Sequence, residues 1–249
     1  MCTLLIATGV FDGPGLYVIS NRDEALDRPA RPPAVHRCGS MEILAPVDVQ
    51  GGGTWIGLNG AGVFVGITNR FGLSTEAHHE SRGRLVFDAL CATSAADAAR
   101  AMGSVSPHRH NGFHLVVADQ DGAYALWNDG RSIETLILNP GYHVVTERSF
   151  DAAFSARLER MENRLSRLGA WTDNYRERFQ SWMREHDSKA PLEGTCIHLD
   201  GANYGTRSST IVELGAVRRF AHAAGPPCTT AYREYTDEVS TLRQSASTE

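Results

Sequence analysis

The sequence predicts an α+β fold built from two antiparallel sheets with pairs of helices on their outer faces. Three observations carry this expectation. Short apolar runs separated by turn residues come in pairs, as hairpins do, at 3–7 with 16–20 and at 54–58 with 63–68. Helical spacing is confined to two blocks, 85–102 and 150–182. The regular strand–helix alternation of a parallel sheet is absent.

Taken in order, the run 3–7 is followed by Gly9 and Asp12-Gly13-Pro14-Gly15, which supply a turn into 16–20. Residues 21–33 are charged and Pro-rich and read as an irregular loop. Gly51-Gly52-Gly53 leads into 54–58, an Asn59-Gly60 turn and 63–68. The strands 3–7, 16–20 and 63–68 are expected to share one antiparallel sheet. Leu85, Val86, Ala89 and Leu90 share a helical face, and Ser94 with Asp97 three residues on reads as the cap of a helix over 95–102. Strands resume at 113–118, 123–127, 133–138 and 143–146, with an Asp121-Gly122 turn between the first two. Phe150, Phe154, Leu158, Met161, Leu165 and Leu168 then step by three or four residues, as do Trp171, Tyr175, Phe179 and Trp182. These stripes read as core-facing sides of two helices. The chain closes with strands at 206–214 and 217–222 and a polar tail from 242. No linker, repeat or low-complexity block divides 1–249, so a single domain is expected.

Composition excludes several functions. With 249 residues, 42% of them hydrophobic, the chain can bury a core without metal or disulfide staples. Its 24 basic against 29 acidic residues oppose the phosphate neutralisation that nucleic-acid binding requires. Lys189 is the only lysine and precedes Ala190, so no phosphate loop ending in Lys-Ser or Lys-Thr exists, and its polar surroundings read as a solvated loop rather than a Schiff-base site. Cys2, Cys38, Cys91, Cys196 and Cys228 are odd in number, scattered and never spaced Cys-x-x-Cys. Neither a disulfide framework nor a zinc site is expected from them, and no metal is assigned. The opening residues lack a basic leader, and no apolar run approaches membrane-spanning length, so a cytoplasmic chain is expected. His108, His110 and His114 read as a turn entering a strand rather than as metal ligands, and His78-His79 as a loop pair. Neither His-Glu-x-x-His nor Gly-x-Ser-x-Gly occurs.

The residue richest in chemistry is Cys2. Removal of Met1 would leave a cysteine carrying both a thiol and a free α-amine. The amine has a reference pKa of about 7.7–8.0 and the thiol about 8.5, so the amine can act as general base for its own side chain. The polar cluster Ser20-Asn21-Arg22-Asp23-Glu24 ends the adjacent strand and reaches the same sheet end. An arginine there favours thiolate, and a carboxylate can orient the α-ammonium.

Together with Met1-Cys2-Thr3 and Asn21-Arg22-Asp23-Glu24, the blocks Gly53-Thr54-Trp55-Ile56-Gly57-Leu58-Asn59, Thr68-Asn69-Arg70, Ser81-Arg82-Gly83 and Tyr204-Gly205-Thr206-Arg207-Ser208-Ser209-Thr210 resemble the NRDE family. This is also called the transport-and-Golgi-organisation protein family. The blocks run in order from residue 1 to about 212. The family is in turn similar to cysteine N-terminal-nucleophile hydrolases such as bile salt hydrolase and penicillin V acylase. That relation implies a four-layer αββα sandwich. It implies Cys2 as nucleophile, Arg22 and Asp23 beside it, Asn69 as donor to the oxyanion and Arg207 as a late arginine near the pocket. A neutral amide suits the Asn69 role because it donates to developing charge without titrating. Asn21, Trp55 and Glu147 are assigned to substrate binding. Glu147 departs from the acylase pattern, standing where those enzymes carry a second asparagine, and a carboxylate donates only when protonated.

Two functions follow. The first is a cofactor-free amidohydrolase or acylase that cleaves a C–N bond in a small or lipid-like substrate. The alternative is a non-catalytic protein that binds and traffics haem or an acyl lipid in the same pocket. The nucleophile favours the first and Glu147 the second.

Overall fold

The structure is a computed structural model that describes residues 2–10, 15–172 and 174–243. Met1, the expected turn at 12–14 and the end of the polar tail, 244–249, lie outside the described residues. In chain order the elements begin with strands β1 (Cys2–Thr8), β2 (Leu16–Ala25), β3 (Ala30–Cys38), β4 (Met41–Asp48), β5 (Ile56–Asn59) and β6 (Phe64–Asn69). Helices α1 (Arg82–Ala89) and α2 (Ala95–Gly103) follow, then β7 (Phe113–Ala118), β8 (Ala123–Asn128), β9 (Ile133–Leu138) and β10 (Gly141–Thr146). The chain continues through α3 (Ala156–Leu165), α4 (Asn174–Trp182), β11 (His198–Leu199), β12 (Tyr204–Leu214), β13 (Arg219–Ala223), β14 (Arg233–Glu234) and α5 (Thr236–Thr241).

The strands form two antiparallel sheets. One runs β10-β1-β2-β12-β13-β14, with β11 on β12; the other is a meander from β3 to β9 in chain order. Strand alternation assigns each residue of the first sheet a face. Leu4, Ile6, Leu16 and Val18 enter the core shared with the second sheet, whereas Leu5, Ala7, Tyr17 and Ile19 pack with Met161 and Leu165 of α3 and Phe179 of α4. Leu85, Val86 and Ala89 of α1 and Ala98, Ala99 and Met102 of α2 join the core of the second sheet from its other side. The layers are therefore α, β, β, α, as the sequence predicts.

Four expectations need correction. The strand near 63–68 is β6, and it belongs to the second sheet, facing β1 rather than sharing its sheet. Gly66 makes this stacking close: a Cβ there would sit 2.8 Å from Leu4 Cδ2. Alternation reports that a strand is buried but not which sheet holds it. The expected loop 21–33 is mostly strand, because β12 pairs with β2 as far as Ala25 and β3 begins at Ala30. Pro32 and Pro33 are tolerated because β3 is an edge strand whose register shifts between Arg31 and Ala34. The helix expected from Phe150 starts only at Ala156, since Phe150 and Asp151 take positive φ (52° and 59°) and Ser155 caps α3 by accepting from Leu158 N. Finally, Cys38 and Cys91 form a disulfide between the end of β3 and the residues after α1. They are 53 residues apart, a separation that carries no pairing signal. The Ser94 cap on α2 stands as expected, accepting from Asp97 N.

One close approach positions the site. Gly53 and Gly83 touch backbone to backbone, with Thr54 N donating to Gly83 O at 3.1 Å, so the glycine turn seats the first turn of α1. A Cβ on Gly53 would fall 2.3 Å from the Gly83 carbonyl carbon. Gly53→Ala is expected to cost about 1–3 kcal/mol or more in urea unfolding, the scale of overpacking. Gly201→Ala, with nothing within 4 Å of the new Cβ, should change stability little.

Candidate active site

Cys2 heads β1 and pairs across to Arg22 on β2, which pairs in turn with Ser208 on β12. Three strands thus deliver their polar ends to one sheet edge. The second sheet faces them with Trp55 and with Asn69 at the end of β6, and the start of α1 closes the side. Between these elements lies a cleft of about 540 Å³ whose walls include Cys2, Arg22, Asp23, Trp55, Asn69 and Arg82.

Arg22 is nearly buried. Its Nη2 donates to Asp48 Oδ2 at 3.0 Å, and its guanidinium carbon lies 4.3 Å from the centre of the Trp55 ring. Asp48 also accepts from Arg28 Nε at 2.8 Å. The buried Nη1 of Arg22 makes no hydrogen bond among the described residues, leaving a charged donor beside the cleft. The thiol of Cys2 is pushed up from its ordinary pKa by burial, with the Asp23 carboxylate adding to the shift. The Asp23 backbone N–H and Arg22 act in the opposite sense, toward thiolate.

Asp23 links this edge to the layer behind it. Its Oδ1 accepts from Thr206 Oγ1 at 2.6 Å, and its Oδ2 lies 3.7 Å from Nη1 of Arg157. Arg157 is fully buried and also donates to Glu147 Oε2 at 2.5 Å. Burial raises the Asp23 carboxyl to about 6, against the opposing pull of Arg157 and Thr206 and with help from Glu147. Arg82 lines the cleft, donates to Gly112 O at 2.9 Å, and is held below the usual arginine range by burial.

The structure brings Cys2, Arg22, Asp23, Trp55 and Asn69 to one cleft but not the other three residues assigned from sequence. Asn21 alternates to the helix side of β2, where its Nδ2 donates to Met183 O and Thr195 O, each at 2.8 Å. Glu147 is buried against Arg157 on that same side. Arg207 donates to Arg28 O at 3.3 Å and lines a smaller cavity of about 130 Å³ beyond Arg22 and Trp55. The substrate-binding assignments of Asn21 and Glu147 therefore give way to a supporting position. Asp48, Arg28, Arg82, His79 and Arg157 were not assigned from sequence. His79 lines the cleft and meets Asn111 Oδ1 through Nδ1 at 3.1 Å. Arg157 had a legible signal: it stands four and eight residues ahead of Met161 and Leu165, a charge on a buried helical stripe.

The histidines set aside as metal ligands do have separate partners. His110 Nδ1 meets Glu80 O at 3.0 Å, while His114 lies between Thr68 Oγ1 and Arg70 Nη1. Burial and Arg70 lower the His114 pKa to about 3, so it is neutral. The expectation of scattered cysteines fails at a second place besides Cys38–Cys91. His186, Cys196, His198 and Cys228 converge, with one potential ligand atom from each within 4.8 Å of the others. Their spacing follows no familiar metal pattern, because the fold rather than a local loop brings them together.

Two facing antiparallel sheets flanked by helices form a fold that this chain shares with solved amidases and acylases. The chain is similar to penicillin V acylase from Agrobacterium tumefaciens, with a TM-score of 0.59 and 13% identity over 94% of this chain and 86% of that one. It is also similar to a Caenorhabditis elegans N-acylethanolamine-hydrolyzing acid amidase ortholog, with a TM-score of 0.56 and 12% identity over 85% and 92% of the two chains. At such identities the likeness is one of fold. The chain belongs to the Transport and Golgi organisation 2 family, whose family model matches residues 1–220. It is 32% identical over 136 residues to a Transport and Golgi organization protein 2 homolog of Bos taurus, covering 51% of this chain and 48% of that protein. The Homo sapiens homolog is 30% identical over 135 residues, with the same shares. The matched region thus spans about half the length of these curated relatives. No helix among the described residues is long and apolar enough to cross a membrane.

Two outcomes test the buried charges. Arg157→Leu leaves Asp23 and Glu147 without their shared counter-charge and is expected to cost about 3–5 kcal/mol in denaturant unfolding. Asp23 governs a pH effect. Its folded pKa of about 6 exceeds the ordinary 3.8, so between them the folded chain keeps a proton that the unfolded chain has released. Ionisation of Asp23 therefore costs stability as pH rises through that window. Relative to Asp23→Asn, the wild type should lose stability from about pH 4 to about pH 6 and run parallel above it, as read by thermal unfolding across pH.

Proposed function

We propose that this chain is a cysteine N-terminal-nucleophile amidohydrolase that cleaves a C–N bond in a small or lipid-like amide. The observation that carries the reading is Cys2, at the head of β1, opening onto the cleft shared with Arg22, Asp23 and Asn69. Once Met1 is removed, the Cys2 α-amine takes the thiol proton as Sγ attacks the carbonyl carbon. Asn69 donates to the oxyanion from the opposite sheet. The amine returns the proton to the leaving nitrogen, the C–N bond breaks, and water then hydrolyses the thioester to regenerate the thiol. Asp23 orients the α-ammonium, and Arg22 favours the thiolate.

The second reading, a carrier of haem or an acyl lipid, leaned on Glu147 in place of an asparagine. Glu147 pairs with Arg157 behind the strand and does not line the cleft, so this departure no longer argues for a carrier.

Turnover of an amide panel by the mature chain tests the proposal. Cys2→Ala should lower the rate by on the order of 10³-fold or more, the scale of losing a nucleophile, and Cys2→Ser should retain little. Inserting one uncleavable residue before Cys2 should be nearly as damaging although the thiol remains. Full activity of the insertion variant would defeat the self-base mechanism. No turnover by the mature wild type, with a Soret band on haem titration, would favour the carrier.

A further inference from the structure

We propose that His186, Cys196, His198 and Cys228 form a structural zinc site, separate from the cleft. The four residues come from two irregular stretches: one runs from the end of α4 through β11, and the other joins β13 to β14. The sulfurs of Cys196 and Cys228 are 3.6 Å apart, unbonded, and His198 Nε2 lies 3.6 Å from the first and 3.3 Å from the second. A tetrahedral zinc with Zn–S about 2.3 Å and Zn–N about 2.0–2.1 Å sets edges of about 3.8 Å between sulfurs and about 3.6 Å between sulfur and nitrogen. The triangle seen here is already close to one face of that tetrahedron.

The fourth corner is His186, whose ring lies 4.8 Å from that of His198, centre to centre. Its Nδ1 meets the Cys196 carbonyl oxygen at 2.8 Å. Donation there fixes the tautomer and leaves Nε2 with the lone pair, the usual support for a ligating imidazole. Two thiolates and two neutral imidazoles suit zinc over harder cations. Binding would release both thiol protons to solvent and leave an uncharged centre. Four protein ligands leave no open position, which makes the site structural rather than catalytic. Two ligands are exposed, so an ion can reach it.

The site has a mechanical consequence. Thr195 O, beside Cys196, accepts from Asn21 of β2, and Gly194 O accepts from Arg157. A metal here would pin the segment that backs the strand carrying Arg22 and Asp23.

The test loads the full-length reduced chain with zinc, desalts it, and measures metal per chain. A cobalt-loaded sample is read by absorption. The expected result is one metal per chain, thiolate-to-cobalt charge transfer with intense tetrahedral d–d bands, and a lower Tm after chelation. Cys228→Ser should lose the charge-transfer band and at least about tenfold in affinity, and so should His198→Gln at its exposed position, where folding is less at risk. Cys2→Ala should keep both, which separates this site from the proposed nucleophile. Wild-type metal content no higher than that of Cys228→Ser, or a Cys196–Cys228 disulfide in protein isolated with its thiols trapped, would overturn the proposal.

Discussion

A buried arginine between two buried carboxylates holds the proposed nucleophile's surroundings in place. Arg157 meets Glu147 at 2.5 Å and Asp23 at 3.7 Å, and all three side chains are withdrawn from water. Removing ions from water costs several kcal/mol each, and attraction offsets this only with good geometry and further hydrogen bonds. Some of those bonds are present, although Arg157 Nε has no hydrogen-bond partner among the described residues. Thr206 Oγ1 donates to Asp23, and the Arg157 backbone N–H and Ser155 Oγ both reach Glu193 Oε2, at 2.7 and 3.0 Å. The node thereby joins β2, the end of β10, the first turn of α3 and the segment before β11.

Strand alternation explains how one short polar run serves two layers. Arg22 faces the second sheet and meets Trp55 and Asp48, while Asn21 faces the helices and holds the carbonyls of Met183 and Thr195. Asp23, near the strand end, reaches both the cleft and the buried node. The charge state of the cleft is thereby coupled to packing behind the sheet. Burial raises Asp23 to about 6 and pushes the Cys2 thiol up as well, so near neutral pH Asp23 is mostly ionised whereas burial favours the protonated thiol. A positive charge at the Cys2 nitrogen would draw both toward their ionised forms. Protonated, that amine would stabilise both anions; neutral, it is the form that can take the thiol proton.

Much of the layered fold was legible because its strands and helices obey simple periods. The Asn59-Gly60 hairpin, the Ser94 cap and the meander from Phe113 to Leu138 follow from local chemistry. What escaped was set by long-range partners. The polar end of β2 stays extended because β12, nearly two hundred residues later, pairs with it, and no local pattern announces that. The division of β1 and β6 between sheets is equally non-local. At the site, Cys2, Arg22, Asp23, Trp55 and Asn69 were readable as motif residues, and they do share a cleft. Asn21 and Glu147 were misplaced because a motif records proximity in the chain but not which strand face a side chain takes.

The same reasoning bears on why the polar run persists in a strand at all. An inner strand of a covered sheet is stabilised by apolar side chains, and polar ones there cost energy unless each finds a partner. Asn21 finds Met183 and Thr195 on the helix side, Asp23 finds Thr206 of β12 and Arg157 of α3, and Arg22 finds Asp48 on one nitrogen. The Nη1 of Arg22 finds none among the described residues, though it is buried beside the thiol-bearing cleft. Replacing that guanidinium with an apolar group would take one counter-charge from Asp48 and break the contact with Trp55, so its two paired contacts account for its place but not for the orientation of Nη1. Under the hydrolase proposed above, that nitrogen is the one buried donor of Arg22 left over for a substrate oxygen in the cleft.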